Sequence, residues 1–306
     1  MNVFCNIYRG KTIESQHRAH GVIIDCKGKE IFSFGNSTLI TCIRSSFKPF
    51  QTYPTIFLKG DKKFKLNSQD IAIMCASHNG ESKHTYQVAA LLNKIGCDEN
   101  DLQCGSHYPA DRQSRTKMIQ NKILPTPIHN NCSGKHAGML TLAKVLNTDI
   151  KGYTHLDHVV QHTILQTLKE TFNIIPSDIA IDGCSAAAPF MTLKDIATLY
   201  LTLGTNKQTP CQKIYEAISA NPYLIGGHKR FDTEFIRVMN GRGISKGGGE
   251  GVIGLFVDTQ KYGPIGMSIK IEDGNHRCRD NAVMTILEDL KLLPSDASVA
   301  LAHYLK

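Results

Sequence analysis

Apolar positions change their period twice along the chain. Over 3–8, 21–25 and 31–34 they alternate or form short blocks, broken at Arg9-Gly10 and at Lys27-Gly28-Lys29, which predicts three short strands in an antiparallel meander. From residue 45 the spacing becomes helical. Pro49 falls in the first turn of the helix that Ser45 begins, and its ring leaves the Ser45 carbonyl without an intrahelical donor. Ser68 reads as the N-cap of a helix running to Ser77, broken by Asn79-Gly80, and 81–95 is a second helix closed by Gly96. Further helical patterns occupy 110–122, 133–146, 155–172, 193–203, 211–219 and 231–239. After Lys246 the pattern reverts to strands at 252–257 and 265–271, and a helix over 281–293 closes the chain. Strands at both ends predict an α/β (α+β) unit spanning 1–306: segments 1–43 and 244–306 build a sheet-containing subdomain around a mainly helical insert, 44–243.

Three short motifs bring chemistry to this frame: Ser45-Ser46-Phe47-Lys48, Ser77-His78-Asn79 and Lys246-Gly247-Gly248. Their order resembles S-x-x-K, S-x-N and K-T/S-G of penicillin-recognising enzymes and serine β-lactamases, with Gly247 as a departure. Residues three apart share a helix face, so Ser45 rather than Ser46 faces Lys48. A hydroxyl becomes a useful nucleophile when a base takes its proton, and lysine serves only when burial or a second cation lowers its pKa. Lys246 is the candidate second cation. The extra glycines give that loop freedom, which loosens the placing of Lys246.

Composition narrows the alternatives. With 41% hydrophobic and 20% charged residues the chain reads as an ordinary soluble protein. No apolar stretch is long enough to span a membrane, and Met1 to Tyr8 lacks the plan of a secretory signal. Ten cysteines without such a signal predict a cytoplasmic address, with thiols or metal ligands rather than disulfides. The net charge of +8 is scattered, the chain has no Trp and no nucleic-acid module is recognisable, so a solvated basic surface is the reading and nucleic acid is excluded as a partner.

Six phrases together resemble the rhizobial-type L-asparaginases nearly end to end. They are Arg9-Gly10 through Glu14-Ser15-x-His17-Arg18, Arg44 through Pro49, Ser77 through Glu81, Cys132-Ser133-Gly134-Lys135-His136, Asp182-Gly183-Cys184, and Lys246 through Gly251. The resemblance implies a β-lactamase-like fold, a homodimer and hydrolysis of the side-chain amide of L-asparagine. It also implies two Ser/Lys pairs, Ser45 with Lys48 and Ser77 with Lys246. A further implication is zinc, or another divalent metal, on Cys132, Lys135, Asp182 and Cys184, structural or site-shaping because four protein ligands leave no open position. Spacing alone favours two buried thiols there. Arg44 and His136 are candidates for the substrate carboxylate, with satisfied structural roles as the alternative.

Other patterns carry less. Gly249-x-Gly251-x-x-Gly254 precedes a strand, so no helix N-terminus is present to hold a pyrophosphate. His155, His158 and His162 read as a surface or interface stripe on one helix face, and the remaining cysteines mostly as small buried hydrophobes. The rivals to asparagine hydrolysis are a serine glutaminase or another amide hydrolase on the same plan, and a zinc-stabilised amino-acid-binding protein without catalysis.

Overall fold

The computed structural model describes residues 3–207 and 210–305, so Met1 and Asn2, where the N-terminal reading begins, lie outside the described residues together with Gln208, Thr209 and Lys306. Nine strands are formed: β1 (Val3–Arg9), β2 (Thr12–Asp25), β3 (Glu30–Phe34), β4 (Ile40–Cys42), β5 (Asp178–Ile181), β6 (Ala187–Thr192), β7 (Gly243–Gly248), β8 (Val252–Thr259) and β9 (Gly263–Ile271) among the described residues. Strands from the two chain ends build one antiparallel sheet in the order β1-β2-β9-β8-β7, with β3 also paired to β2. The join between the ends is the β2/β9 ladder, where Ile23 faces Met267 and Gly21 faces Ile269.

Both faces of this sheet are covered, which explains why 252–257 reads as an unbroken apolar run. Val22, Ile24, Val252 and Phe256 pack with the helix Leu193–Thr205 and the helical body. Their alternates Ile23, Ile253, Leu255 and Val257 pack with Phe235, Val283, Leu287 and Leu301, from the helices Phe231–Met239, Arg279–Asp289 and Ser295–Leu301. The inner helix lies very close to the sheet. A Cβ at Gly266 would sit 2.1 Å from the Ala197 carbonyl, and one at Gly254 would sit 2.1 Å from the Tyr200 ring.

Several boundaries differ from expectation. β2 begins nine residues before the predicted strand because its first half is mostly exposed and polar and is held by its pairing to β1 rather than by burial. The short strands β4, β5 and β6 form a second antiparallel sheet inside the mainly helical segment. Asn67, not Ser68, caps the helix Ser68–Met74, in a reciprocal box with Asp70, and the helix stops before Ser77. His158 is the N-cap of the helix Val159–Phe172, so His155 precedes the helix and the three histidines share no helix face. Cys5 and Cys278 form a disulfide with Cα atoms 5.8 Å apart, where thiols were expected. Their pairing depends on β1 meeting the turn before the Arg279–Asp289 helix, a contact with a sequence separation of 273. Cys75, Cys104 and Cys211 are buried, whereas Cys26 is exposed.

The Tyr200 contact yields a test. Gly254→Ala should lower stability by about 1–3 kcal/mol, because the ring must move and take its hydroxyl away from the Ser46 carbonyl. That hydroxyl now donates over 2.8 Å. Urea unfolding of the variant measures the loss, and undiminished stability would contradict so tight a packing.

Candidate active site

Residues Arg44–Phe47 form a 3-10 turn that runs into the helix Lys48–Phe57. The Ser45 carbonyl that Pro49 leaves free is taken by the Lys48 N–H, an i to i+3 bond, so the tighter turn resolves the vacancy. Arg44 is held in the left-handed region at φ 49°. This turn separates the two serines. Ser46 is fully buried and its Oγ donates to the Lys246 carbonyl at 2.6 Å, whereas Ser45 lines a cavity of about 390 Å³.

Ser77 lines the same cavity. It belongs to an extended segment whose backbone bonds to a neighbouring loop, Ser77 N–H to the Ile225 carbonyl and Asn79 N–H to the Gly226 carbonyl. The amine that reaches Ser77 is Lys48, not Lys246. Lys48 Nζ donates to Ser77 Oγ at 2.8 Å, to the Ala76 carbonyl at 2.6 Å and to the Asn131 carbonyl at 3.3 Å. Burial holds its pKa below the ordinary lysine value, although the Cys132 thiol pulls the other way. No hydrogen bond joins Lys48 to Ser45 among the described residues. His78 and Asn79 do not line the Ser45 cavity: His78 Nε2 meets Ser133 Oγ at 3.0 Å, and Asn79 accepts from Arg230 at 3.1 Å.

Lys246 is placed firmly, contrary to the freedom expected of its glycines. β7 pairs regularly with β8, Lys246 opposite Gly254 and Gly248 opposite Val252. The glycines serve close approach: a Cβ at Gly247 would lie 2.5 Å from the Arg279 guanidinium, and one at Gly248 would lie 2.9 Å from the Ile43 carbonyl and 3.2 Å from the Ser45 nitrogen. Lys246 Nζ is buried, donating to the Gly247 carbonyl at 2.8 Å and lying 3.6 Å from Oδ2 of Asp232, which lines the cavity. Burial, opposed by Asp232 and aided by Lys48, Arg230 and Arg279, lowers its pKa to about 7.

The cysteine loops meet behind this site. Lys135 Nζ lies 2.7 Å from Cys184 Sγ. A hydrogen bond from Cys184, with Lys48 and Lys135 nearby, holds the Cys132 thiol well below its usual range and so favours its thiolate. Asp182 is engaged by Arg44, at 3.0 Å from Nε and 2.9 Å from a terminal nitrogen. The two sulfurs and the amine converge, and thiolate donors suit a zinc ion. The carboxylate is turned to Arg44, and no group of three or more His, Cys, Asp or Glu is arranged as a metal cage among the described residues.

Neither proposed carboxylate ligand lines the Ser45 cavity. Arg44 faces Asp182 in a separate cleft, and His136 is fully buried with Nδ1 2.7 Å from the Tyr153 hydroxyl. Burial keeps that imidazole neutral, well below its ordinary pKa. The cavity's charged groups are instead Lys229, Arg230, Asp232, Arg279 and Asp280. Sequence reasoning missed them. Asp232 in a first helical turn resembles an ordinary dipole-complementing acid, and Arg279-Asp280 an ordinary surface pair.

Residues 5–306 match the family described as L-asparaginase II. The chain therefore belongs to that family, of the rhizobial type, and is an amidohydrolase acting on L-asparagine. No sequence match is found among curated proteins. No helix among the described residues is long and apolar enough to cross a membrane.

The two adjacent serines differ in what they hold, and stability separates them. Ser46→Ala should cost about 1–3 kcal/mol by leaving a buried carbonyl short of a partner, while Ser45→Ala should change stability little. Parallel denaturant titrations check both.

Proposed function

We propose that this chain hydrolyses the side-chain amide of L-asparagine to aspartate and ammonia through an acyl-enzyme on Ser45, built on a β-lactamase-like plan. The observation that carries this reading is the meeting of Ser45 and Ser77 in one cavity, with the buried Lys48 amine on Ser77. Ser45 Oγ attacks the amide carbon and its proton passes through Ser77 to neutral Lys48. The same pair returns a proton to the leaving nitrogen, so the collapsing tetrahedral intermediate releases ammonia and leaves the ester. Water, deprotonated by the pair, then attacks the ester; as the carbonyl re-forms the pair returns that proton to the Ser45 oxygen and aspartate leaves. A zwitterionic substrate needs both charge signs around it, which Arg279 and Asp280, paired at 2.7 Å, bring to the cavity wall.

Ser45→Ala should cut ammonia release from asparagine by several orders of magnitude, and Ser46→Ala should retain far more. A folded Ser45→Ala enzyme with near-parental turnover would refute the nucleophile. A panel of asparagine, glutamine and asparaginyl peptides tests the substrate.

The pH dependence follows from Lys246. With its pKa lowered to about 7, the amine is charged below neutrality and neutral above it. If the neutral form is the active one, kcat should climb through neutral pH to a plateau on the alkaline side. Lys246→Met should lower kcat strongly in a folded protein and abolish that limb.

We further propose zinc at the cysteine loops. Cys132 and Cys184 would hold it as thiolates, with Lys135 once its proton is displaced and Asp182 once released by Arg44; the ion would lock these loops behind Lys48. Elemental analysis should give about one zinc per chain, lost in a Cys132→Ala/Cys184→Ala protein. Zinc retained by that variant would remove the site.

A further inference from the structure

We propose that Asp232 is a positioning residue for the reaction: its buried carboxylate ties Ser245, the Lys246 amine and the Gly247 peptide of β7 into one network, aims Lys246 and places a negative charge beside it. This rests on the reading of Lys246 as the group whose neutral form the rate follows.

Geometry comes first. Asp232 is buried and lies in the first turn of the helix Phe231–Met239, facing β7. Its Oδ1 accepts from Ser245 Oγ at 2.8 Å and from the Gly247 N–H at 3.1 Å; its Oδ2 accepts from the same N–H at 3.0 Å and lies 3.6 Å from Lys246 Nζ. Three consecutive residues of β7 therefore address one carboxylate. A helix turn and a strand edge are pinned together where Lys246 must be aimed, and the same carboxylate reaches the cavity wall.

Charge gives the second part. Lys246 is faced by Lys48 from the helix Lys48–Phe57, by Arg230 before the next helix, by Arg279 from the helix Arg279–Asp289, and by the Cys75 thiol, which burial pushes up to about 12 and so keeps neutral. Among these described neighbours Asp232 is the anion. Burial pushes its own carboxyl up, but Lys246, Arg279 and the Gly247 N–H more than offset that and keep it ionised. Without it, burial and the guanidinium groups of Arg230 and Arg279 would act on Lys246 unopposed, leaving a more weakly basic amine.

Asp232→Asn retains the shape and removes the charge. It should move the ascending limb of kcat toward acid by about 1–3 pH units and lower the plateau, because a less basic amine is a poorer proton acceptor. Ser245→Ala removes a neutral contact of the same carboxylate and should leave the limb where it is. Asp232→Glu keeps the charge at a shifted position, so the limb should stay while kcat falls. These profiles are to be measured by ammonia release from asparagine, with circular dichroism confirming the fold. An Asp232→Asn enzyme with the parental limb and plateau would overturn the inference, as would a Ser245→Ala enzyme whose limb moves equally. If Asp232→Asn does not fold, Asp232→Glu decides: parental kcat or a displaced limb overturns the inference. Lys246→Met, run in parallel, separates the two levels. Full activity there removes the reading of Lys246 and this inference with it; an inactive Lys246→Met beside an unperturbed Asp232→Asn removes this inference alone.

Discussion

The buried hydrogen bond from Ser46 to the Lys246 carbonyl, together with the bare backbone of Gly248, lets the 44–47 turn and strand β7 touch. Everything at the site hangs on that approach. A side chain at Gly248 would meet the Ile43 carbonyl and the Ser45 nitrogen, so the turn would be pushed off the sheet. Tyr200 braces the other side by donating to the Ser46 carbonyl from the helix that lies against β8 and β9. Ser45 points into the cavity because its neighbour is anchored inward.

The same crowding sets the electrostatics. Lys48, Lys135 and Lys246 are all buried, a composition that water would normally forbid. Each is answered differently. Lys48 meets two carbonyls and a hydroxyl, Lys135 meets sulfur, and Lys246 meets its own strand and a carboxylate. Their responses diverge accordingly: at Lys135 burial is outweighed by the neighbouring Cys132 thiolate and Cys184 sulfur, which raise its proton affinity, while burial prevails at Lys48 and Lys246 and lowers theirs. Identical side chains thus divide between permanent charge and titratable amine. Pairs of groups pushed apart in this way are the usual ground of acid–base division of labour.

Cys132 connects the two halves of this arrangement. Its thiol bears on Lys48 from one side and on Cys184 and Lys135 from the other. Whatever occupies the cysteine loops is therefore felt at Ser77 through the Lys48 amine. The Cys5–Cys278 link lies elsewhere, tying β1 to the turn that precedes Arg279 and Asp280 on the cavity wall.

The sequence by itself determined the long apolar strands β8 and β9 and most of the helices, since those follow from local periodicity and from glycine and proline. Its choice of Ser45 over Ser46 rested on a helix face shared with Lys48, whereas the inward hydrogen bond of Ser46 to the Lys246 carbonyl is what leaves Ser45 on the cavity. The sequence also carried the family, through phrases spread over the whole chain. Local signals failed where stability is supplied from outside the segment: the polar half of β2, the short strands β4 to β6, and glycine-rich β7, which is a strand because β8 lies beside it. Site pairing failed for the same reason. Spacing joined Ser45 to Lys48 as neighbours on a helix, but the fold carries the Lys48 amine to Ser77 on a different segment. Asp232 and Arg279 were invisible because their partners are brought from β7. Only tertiary structure decides which buried charge meets which, because that depends on distances across elements and on exclusion of water, and neither is written in the order of residues.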